Sequence, residues 1–171
     1  MKQFVLGGAR SGKSSLAEIL CADCGDKVAY IATANKAWND AEMEARITRH
    51  RQQRSGHWHT IEAPVALAEA LAELQDYDAV MIDCLTLWLS NCLHQDCWPQ
   101  QRQDFLNALE NFNGELVIVS NEVGMGIVPL GELSRRFVDE SGFLHQAVAA
   151  RCQRVIFTAA GLPLVMKGPG L

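Results

Sequence analysis

The chain has 171 residues, a formal net charge of −5 and a hydrophobic content of 49%. This length allows one well-buried core but not two ordinary domains, so we expect a single domain over residues 1–171. The acidic balance argues against general nucleic-acid binding, and no apolar run approaches the roughly 18 residues that a membrane span needs. The N-terminal residues lack a signal-peptide pattern, so the sequence predicts a cytoplasmic protein whose six cysteines are free thiols.

Short apolar runs alternate along the chain with stretches of helical length. Runs without polar alternation predict strands buried on both faces, at residues 4–7, 28–32, 79–83, 116–120 and 155–159. Helical patterns fall at residues 14–24, 42–54, 65–73, 85–93, 102–112 and 133–151. This order predicts an α/β fold of three layers, with a mostly parallel central sheet and right-handed crossovers. Trp88 is interpreted as a core residue, and the alternating stretch around Trp58 as an exposed edge strand.

A phosphate-binding loop is predicted directly after the first strand. The pattern GxxxxGK[ST] is matched by Gly7, Gly8, Ala9, Arg10, Ser11, Gly12, Lys13 and Ser14. Backbone N–H groups of such a loop converge on phosphate oxygens, Lys13 can reach the β- and γ-phosphates, and the Ser14 hydroxyl can ligate Mg²⁺. The preceding strand and following helix are the context that this motif requires, so the sequence predicts a P-loop NTPase-type fold.

Asp83 ends the apolar run 79–82 and is a candidate Mg²⁺ ligand. A carboxylate at the tip of a buried strand beside a phosphate loop can hold the metal or its water shell. The alternative is that Asp83 caps the helix that begins near Leu85.

Residues 45–54 contain four arginines around His50. On a helix, Arg46, His50 and Arg54 share one face. A solvated amphipathic helix with local ion pairs would explain an isolated segment of this kind. Next to a triphosphate, however, the arginine charges disfavour the imidazolium form and keep His50 neutral, as a nucleophile must be. We therefore hypothesise an in-line attack of His50 on a nucleotide α-phosphate, with the arginines stabilising the pyrophosphate that leaves.

Six segments together resemble the bifunctional adenosylcobinamide kinase/adenosylcobinamide-phosphate guanylyltransferase family of cobalamin biosynthesis. They are GGARSGKS (7–14), YIATA (30–34), DAEMEARITRH (40–50), WHTIE (58–62), DCLTLWLSN (83–91) and NEVGMGIVP (121–129). The resemblance implies phosphorylation of adenosylcobinamide by a nucleoside triphosphate. It also implies transfer of GMP from GTP, through a guanylyl-histidine at His50, to adenosylcobinamide phosphate, which gives adenosylcobinamide-GDP and pyrophosphate.

The same resemblance assigns the site residues by position. His50 and Lys13 are implied as catalytic, and Ser14 and Asp83 as Mg²⁺ ligands. Besides the loop 7–14, the implied nucleotide-binding residues are Ala32, Thr33, Ala34, Arg51, Gln52, Gln53, Arg54, Glu62 and Asp83. GTP, ATP and adenosylcobinamide or its phosphate are the implied partners, and the family implies a homo-oligomer, with a trimer among the candidate arrangements.

The sequence departs from the family pattern at two places. Arg49 stands where relatives often carry a second histidine, which leaves His50 as the candidate nucleophile. Residues 142–146 read GFLHQ where relatives tend to show G-R-x-N-Q, which weakens the carry-over of any contact that the family makes through this late helix. His145 is given no role. Asn121 and Glu122 follow a predicted strand and could orient a substrate hydroxyl or a water, or could belong to a glycine-rich turn.

Two other functions remain open on the residues alone. One is a small-molecule P-loop kinase in which His50 binds phosphate without forming a covalent intermediate. The other is a nucleotide-controlled binding module with no transferase activity, although the chain has no evident NKxD guanine-specificity motif.

Overall fold

A seven-stranded sheet organises the chain. The computed structural model describes residues 1–35 and 58–171. Within these residues the strands are β1 (Lys2–Gly7), β2 (Val28–Ala32), β3 (His59–Glu62), β4 (Ala79–Asp83), β5 (Glu115–Asn121), β6 (Arg154–Ala159) and β7 (Leu162–Lys167). The helices are α1 (Lys13–Ala22), α2 (Leu67–Ala72), α3 (Leu85–His94), α4 (Trp98–Asn111) and α5 (Glu132–Arg151).

The strand order is β3-β2-β4-β5-β1-β6-β7, and every neighbouring pair is parallel except β6 with β7. β1 therefore lies inside the sheet, with Gly7 opposite Asn121 on β5 and opposite Thr158 on β6. Parallel strands end at the same edge, so the residues that follow β1, β2, β4 and β5 gather along the carboxyl edge of the sheet. The predicted α/β fold with a mostly parallel sheet is confirmed.

Alternate side chains of the strands enter two separate cores. Phe4 and Leu6 face the core that contains side chains of helices α2 to α5. Val5 faces the other core, together with Ala17 of α1. The continuous apolar runs of the sequence thus reflect burial on both faces of the sheet, and the expected three layers are present. Trp88 lies in the first core with no exposed surface, as predicted.

Several element boundaries differ from the prediction. α4 begins at Trp98, four residues before the predicted start, with Pro99 in its first turn, where proline is tolerated. β7 was not predicted, because Pro163 interrupts its pattern and most of its side chains are exposed. Proline fits there because β7 is an edge strand whose ladder has one free side. The predicted edge strand near Trp58 is observed as β3, and the predicted helix 42–54 lies outside the described residues.

Two chemical properties of the chain follow from the structure. All six cysteines are free thiols, as expected. No helix in residues 1–35 or 58–171 combines the length and apolar character needed to cross a membrane.

Candidate nucleotide site

The predicted phosphate loop joins β1 to α1. Its backbone adopts positive φ angles at Arg10 (56°) and Gly12 (95°), and Gly12 is the residue that precedes α1. The Lys13 side chain folds back over the loop and donates a hydrogen bond from Nζ to the Gly8 carbonyl at 3.0 Å. Only 5% of Lys13 is exposed. A largely buried ammonium group above a curled backbone at a helix N-terminus is well placed to receive an anion.

Glycine is needed at two points of this loop for different reasons. At Gly12 the φ of +95° is a conformation that L side chains rarely adopt, and a Cβ would lie 3.1 Å from Cα of Gly161. At Gly7 a Cβ would overlap the hydroxyl groups of Ser11 and Thr158. By contrast, a Cβ at Gly8 would meet no atom of residues 1–35 or 58–171 within 4 Å, so these parts of the chain leave room beside the loop at that position.

Asp83 ends β4, two strands away from the phosphate loop because β5 lies between β4 and β1. At ~4.8 Å per strand the two strand ends are ~10 Å apart, a separation that a metal ion with its phosphate and water ligands can bridge. Tyr30 on β2 donates its hydroxyl proton to Oδ2 of Asp83 at 3.1 Å. The helix-cap alternative is not observed, since α3 has Cys84 at its N-cap and no side-chain capping bond.

The charges of Asp83 and Lys13 act on the same buried thiol. Burial raises the pKa of Cys84, Asp83 raises it further, and Lys13 opposes both effects. The carboxylate and the ammonium group therefore have opposite effects on the Cys84 thiol at this edge of the sheet.

Ser14 and Asp83 fit a magnesium ion by the chemistry of their side chains. A hydroxyl and a carboxylate supply the hard oxygen ligands that Mg²⁺ prefers. Across residues 1–35 and 58–171 no group of three or more His, Cys, Asp or Glu side chains could hold a metal by itself. The remaining ligands would therefore come from nucleotide phosphates and water, as is usual for this ion.

The predicted site residues after β2 are held by hydrogen bonds to the end of β4 and to α3. The Thr33 hydroxyl accepts from the Cys84 N–H and donates to the Cys84 carbonyl, both at 2.8 Å. Asn91 on α3 donates to the carbonyls of Thr33 and Pro64, both at 2.8 Å. Thr33 has no exposed surface. Its side chain thus fixes the strand ends, and the half-buried Ala32 and Ala34 flank it at the edge of the sheet.

Glu62 lies at a separate part of the same edge. It ends β3, opposite Ala32, and its side chain is exposed. Four strand spacings separate β3 from β1. At ~4.8 Å each this amounts to ~19 Å, so Glu62 is too distant to share a metal ion with Ser14. The structure therefore does not bring Glu62 and the phosphate loop together.

The end of β5 lies beside the loop and contains polar groups that the sequence left without a settled role. The Glu122 N–H donates to the Gly7 carbonyl at 3.0 Å. The Asn121 Oδ1 atom is buried and has no hydrogen-bond partner within residues 1–35 and 58–171. Both residues therefore lie next to the phosphate loop.

Two side chains near the loop were not assigned a role from the sequence. His145 on α5 is 8% exposed, and its Nε2 lies 2.8 Å from Oγ of Ser120 at the end of β5. Burial lowers the pKa of His145, and the nearby Glu122 partly opposes this. Thr158 on β6 hydrogen-bonds to Ser11 in the loop at 2.9 Å. No local sequence motif indicates a role for His145 or Thr158, because their hydrogen-bond partners Ser120 and Ser11 are distant from them in the sequence.

His50, Arg51, Gln52, Gln53 and Arg54 lie outside the described residues. Their segment connects Asn35, just after β2, to Trp58, just before β3.

The chain is similar in sequence to one family of known proteins, and its fold is similar to that of solved structures. Residues 3–166 match the family described as cobinamide kinase / cobinamide phosphate guanyltransferase. The chain is 53% identical to the bifunctional adenosylcobalamin biosynthesis protein CobP of Pseudomonas aeruginosa, over the full length of both. It is 37% identical to the corresponding protein CobU of Escherichia coli K12, over 98% of this chain and all of that one.

Among solved structures, the KaiC-like protein PH0186 from Pyrococcus horikoshii has a similar fold, with a TM-score of 0.54. The match covers 98% of this chain and 78% of that one at 11% identity, so it shows the fold alone. This likeness agrees with the α/β architecture predicted from the sequence.

Proposed function

The chain belongs to the cobinamide kinase / cobinamide phosphate guanyltransferase family, and from this premise we propose how its residues carry out the two reactions. The protein is a bifunctional transferase of cobalamin biosynthesis. It phosphorylates adenosylcobinamide and then transfers GMP from GTP to the resulting phosphate, which releases pyrophosphate.

The phosphate loop is proposed to hold the nucleotide in residues Gly7–Ser14. The observation that carries this assignment is the Lys13 ammonium group, which lies 95% buried over the curled backbone and donates to the Gly8 carbonyl. Phosphate oxygens are stronger acceptors than a neutral carbonyl, so Lys13 exchanges this partner for the β- and γ-phosphates when nucleotide binds. Backbone N–H groups of the loop then bind the same oxygens.

Ser14 and Asp83 are proposed as the protein ligands of Mg²⁺. When bound, Mg²⁺ neutralises negative charge on the phosphate oxygens during transfer. Tyr30 orients Asp83 through the hydrogen bond to Oδ2, at 3.1 Å. Glu62 lies across the sheet from Ser14, and we assign it to the nucleoside rather than to the metal or the phosphates.

His50 is proposed as the guanylyl acceptor. A ring nitrogen attacks the α-phosphorus of GTP, a P–N bond forms, the bond between the α-phosphorus and its bridging oxygen breaks, and pyrophosphate leaves. A phosphate oxygen of adenosylcobinamide phosphate next attacks the same phosphorus, and His50 is released. The support is the order of residues in DAEMEARITRH (40–50) and the arginines on both sides of His50, which favour the neutral imidazole.

Labelling with GTP that carries radioactive phosphorus at the α-position tests this role. Wild-type protein should keep the label after denaturation and lose it in acid, as expected for a P–N bond, whereas His50→Ala should take up none. His94→Ala is the matched control, since His94 lies on α3 with its Nδ1 against the Ser90 carbonyl and should label normally. Kinase activity in wild-type protein without any covalent label would instead support a P-loop kinase that uses no histidine intermediate.

We also propose a homo-oligomer in the cytoplasm, where nucleoside triphosphates are available. Exposed apolar side chains after β5, including Ile127 at 98% and Leu130 at 97% exposure, support burial against a second copy. Light scattering of the purified chain tests this, and a monomer at micromolar concentration would contradict it.

A further inference from the structure

The turn between β6 and β7 lies directly against the phosphate loop. The N–H of Gly161 donates to the Ser11 carbonyl at 2.9 Å. A Cβ on Gly12 would lie 3.1 Å from Cα of Gly161, which shows how closely the two backbones approach. Ala160 and Gly161 have φ angles of 52° and 78°, as in the tight two-residue turns that connect antiparallel strands. The turn therefore supports the loop with its main chain.

Two buried hydroxyl groups continue this contact into the sheet. Oγ of Ser11 lies 2.9 Å from Oγ1 of Thr158, and Thr158 donates to the Leu6 carbonyl at 3.1 Å. A threonine hydroxyl has a single proton, so the Ser11 hydroxyl is the donor in its bond with Thr158. The proton of Ser11 is thus engaged with the sheet and is not directed at a phosphate. Ser11 is 6% exposed and Thr158 is 2% exposed, so water competes little for either group.

The loop needs such support because its backbone is not relaxed. Arg10 has a φ of 56°, a region that residues other than glycine populate sparsely. A conformation of this kind persists where the surrounding structure holds it. The chain of contacts from Ser11 through Thr158 to Leu6, together with Gly161, joins the middle of the loop to β1 and β6. It would keep the loop N–H groups aligned before a phosphate arrives, which lowers the cost of ordering them on binding.

We propose that Thr158 is a positioning residue for the nucleotide phosphates and acts through Ser11. The inference rests on the proposed role of residues Gly7–Ser14 in nucleotide binding. Because the loop contacts the phosphates both before and during transfer, loss of its support should raise KM for the nucleoside triphosphate more than it lowers kcat.

Thr158→Val and Thr158→Ser separate the hydroxyl from the shape of the side chain. Valine keeps the volume and removes both hydrogen bonds, so KM for the nucleotide in the kinase reaction should rise about tenfold. Serine restores the hydroxyl, and KM should return to within about twofold of wild type. Ser141→Ala is the control for loss of a buried hydroxyl outside the chain of contacts from Ser11 through Thr158 to Leu6, since Ser141 is 1% exposed and contacts His145 on α5. Its KM should equal that of wild type.

Some results would overturn the inference. Thr158→Val with a KM within twofold of wild type would do so, and so would Thr158→Val and Ser141→Ala with equal changes. If Thr158→Val does not fold, Ser11→Ala tests the other end of the same bond. A normal KM in Ser11→Ala would then refute the proposal, and an increase of about tenfold would support it.

Lys13→Ala distinguishes this inference from the proposed function. If Lys13→Ala binds nucleotide as wild type does, the assignment of the phosphate loop itself is wrong. If Lys13→Ala loses nucleotide binding while Thr158→Val and Ser11→Ala keep it, only the positioning role of Thr158 is refuted.

Discussion

Substitution of Gly12 by alanine tests the argument that the phosphate loop is shaped by backbone geometry. The φ of Gly12 is +95°, and a Cβ would lie 3.1 Å from Cα of Gly161. The neighbouring atom belongs to the main chain of the turn between β6 and β7, so it cannot move aside as a flexible side chain would. Gly12→Ala thus combines backbone strain with a close contact.

The expected loss of stability in Gly12→Ala follows from the backbone strain and the close contact with Gly161. A residue held in a sparsely populated φ region costs on the order of 1–3 kcal/mol, and the contact with Gly161 places Gly12→Ala in the upper half of this range. We expect the free energy of unfolding to fall by about 2–3 kcal/mol. For a chain of this length that corresponds to a decrease in Tm of roughly 4–12 °C. Circular dichroism during thermal and urea unfolding measures both quantities.

Gly8→Ala is the matched control within the same loop. A Cβ at Gly8 has no neighbour within 4 Å among the residues that the structure describes, and the φ of Gly8 is not in the positive region. Its stability should therefore stay within about 0.5 kcal/mol of wild type. The reasoning would be refuted if Gly12→Ala unfolded at the temperature of wild type, or if Gly8→Ala lost as much stability as Gly12→Ala.

Two further predictions concern polar contacts near the loop. Tyr30→Phe removes the hydroxyl that donates to Asp83 at 3.1 Å, so the kinase reaction should require several-fold more Mg²⁺ for half-maximal rate; an unchanged Mg²⁺ titration would contradict the orienting role. His145 has its pKa lowered from 6.5 by burial, with Glu122 opposing, so the unfolded state binds the proton more readily than the folded state does. The contribution of His145 to the free energy of unfolding is therefore complete above pH 6.5 and is lost as the pH falls through the folded-state pKa. His145→Gln removes this titration, so its Tm should fall less than that of wild type between pH 7 and pH 5. A variant with the same pH dependence as wild type would show that other groups are responsible.

The sequence by itself determined the features that depend on contiguous residues. The loop from Gly7 to Ser14 was predictable because its glycines, lysine and serine act at fixed spacing on one backbone turn. The central strands were predictable because burial on both faces leaves an unbroken apolar run, as in residues 79–82. β7 was not predicted, because this exposed edge strand contains Pro163 and has neither a motif of fixed spacing nor an unbroken apolar run.

Only the tertiary structure decided which strands are neighbours. The apolar runs of β1, β4 and β5 are alike, and no pattern within them states that β5 lies between the other two. That order sets the distance between Asp83 and the phosphate loop, and it places Glu62 far from Ser14. Hydrophobic periodicity records which side chains are buried but not against which partner they are buried.

The local sequence likewise does not show which residues support the phosphate loop. Ser11 and Thr158 are 147 residues apart in the chain, and their bond exists because β6 lies beside β1. A hydroxyl group on a buried strand has no local signature that distinguishes a packing residue from a positioning one. The local sequence therefore specifies a loop able to bind phosphate, and the assembled sheet determines what holds that loop in shape, since hydrogen bonds between distant segments form only when folding brings them together.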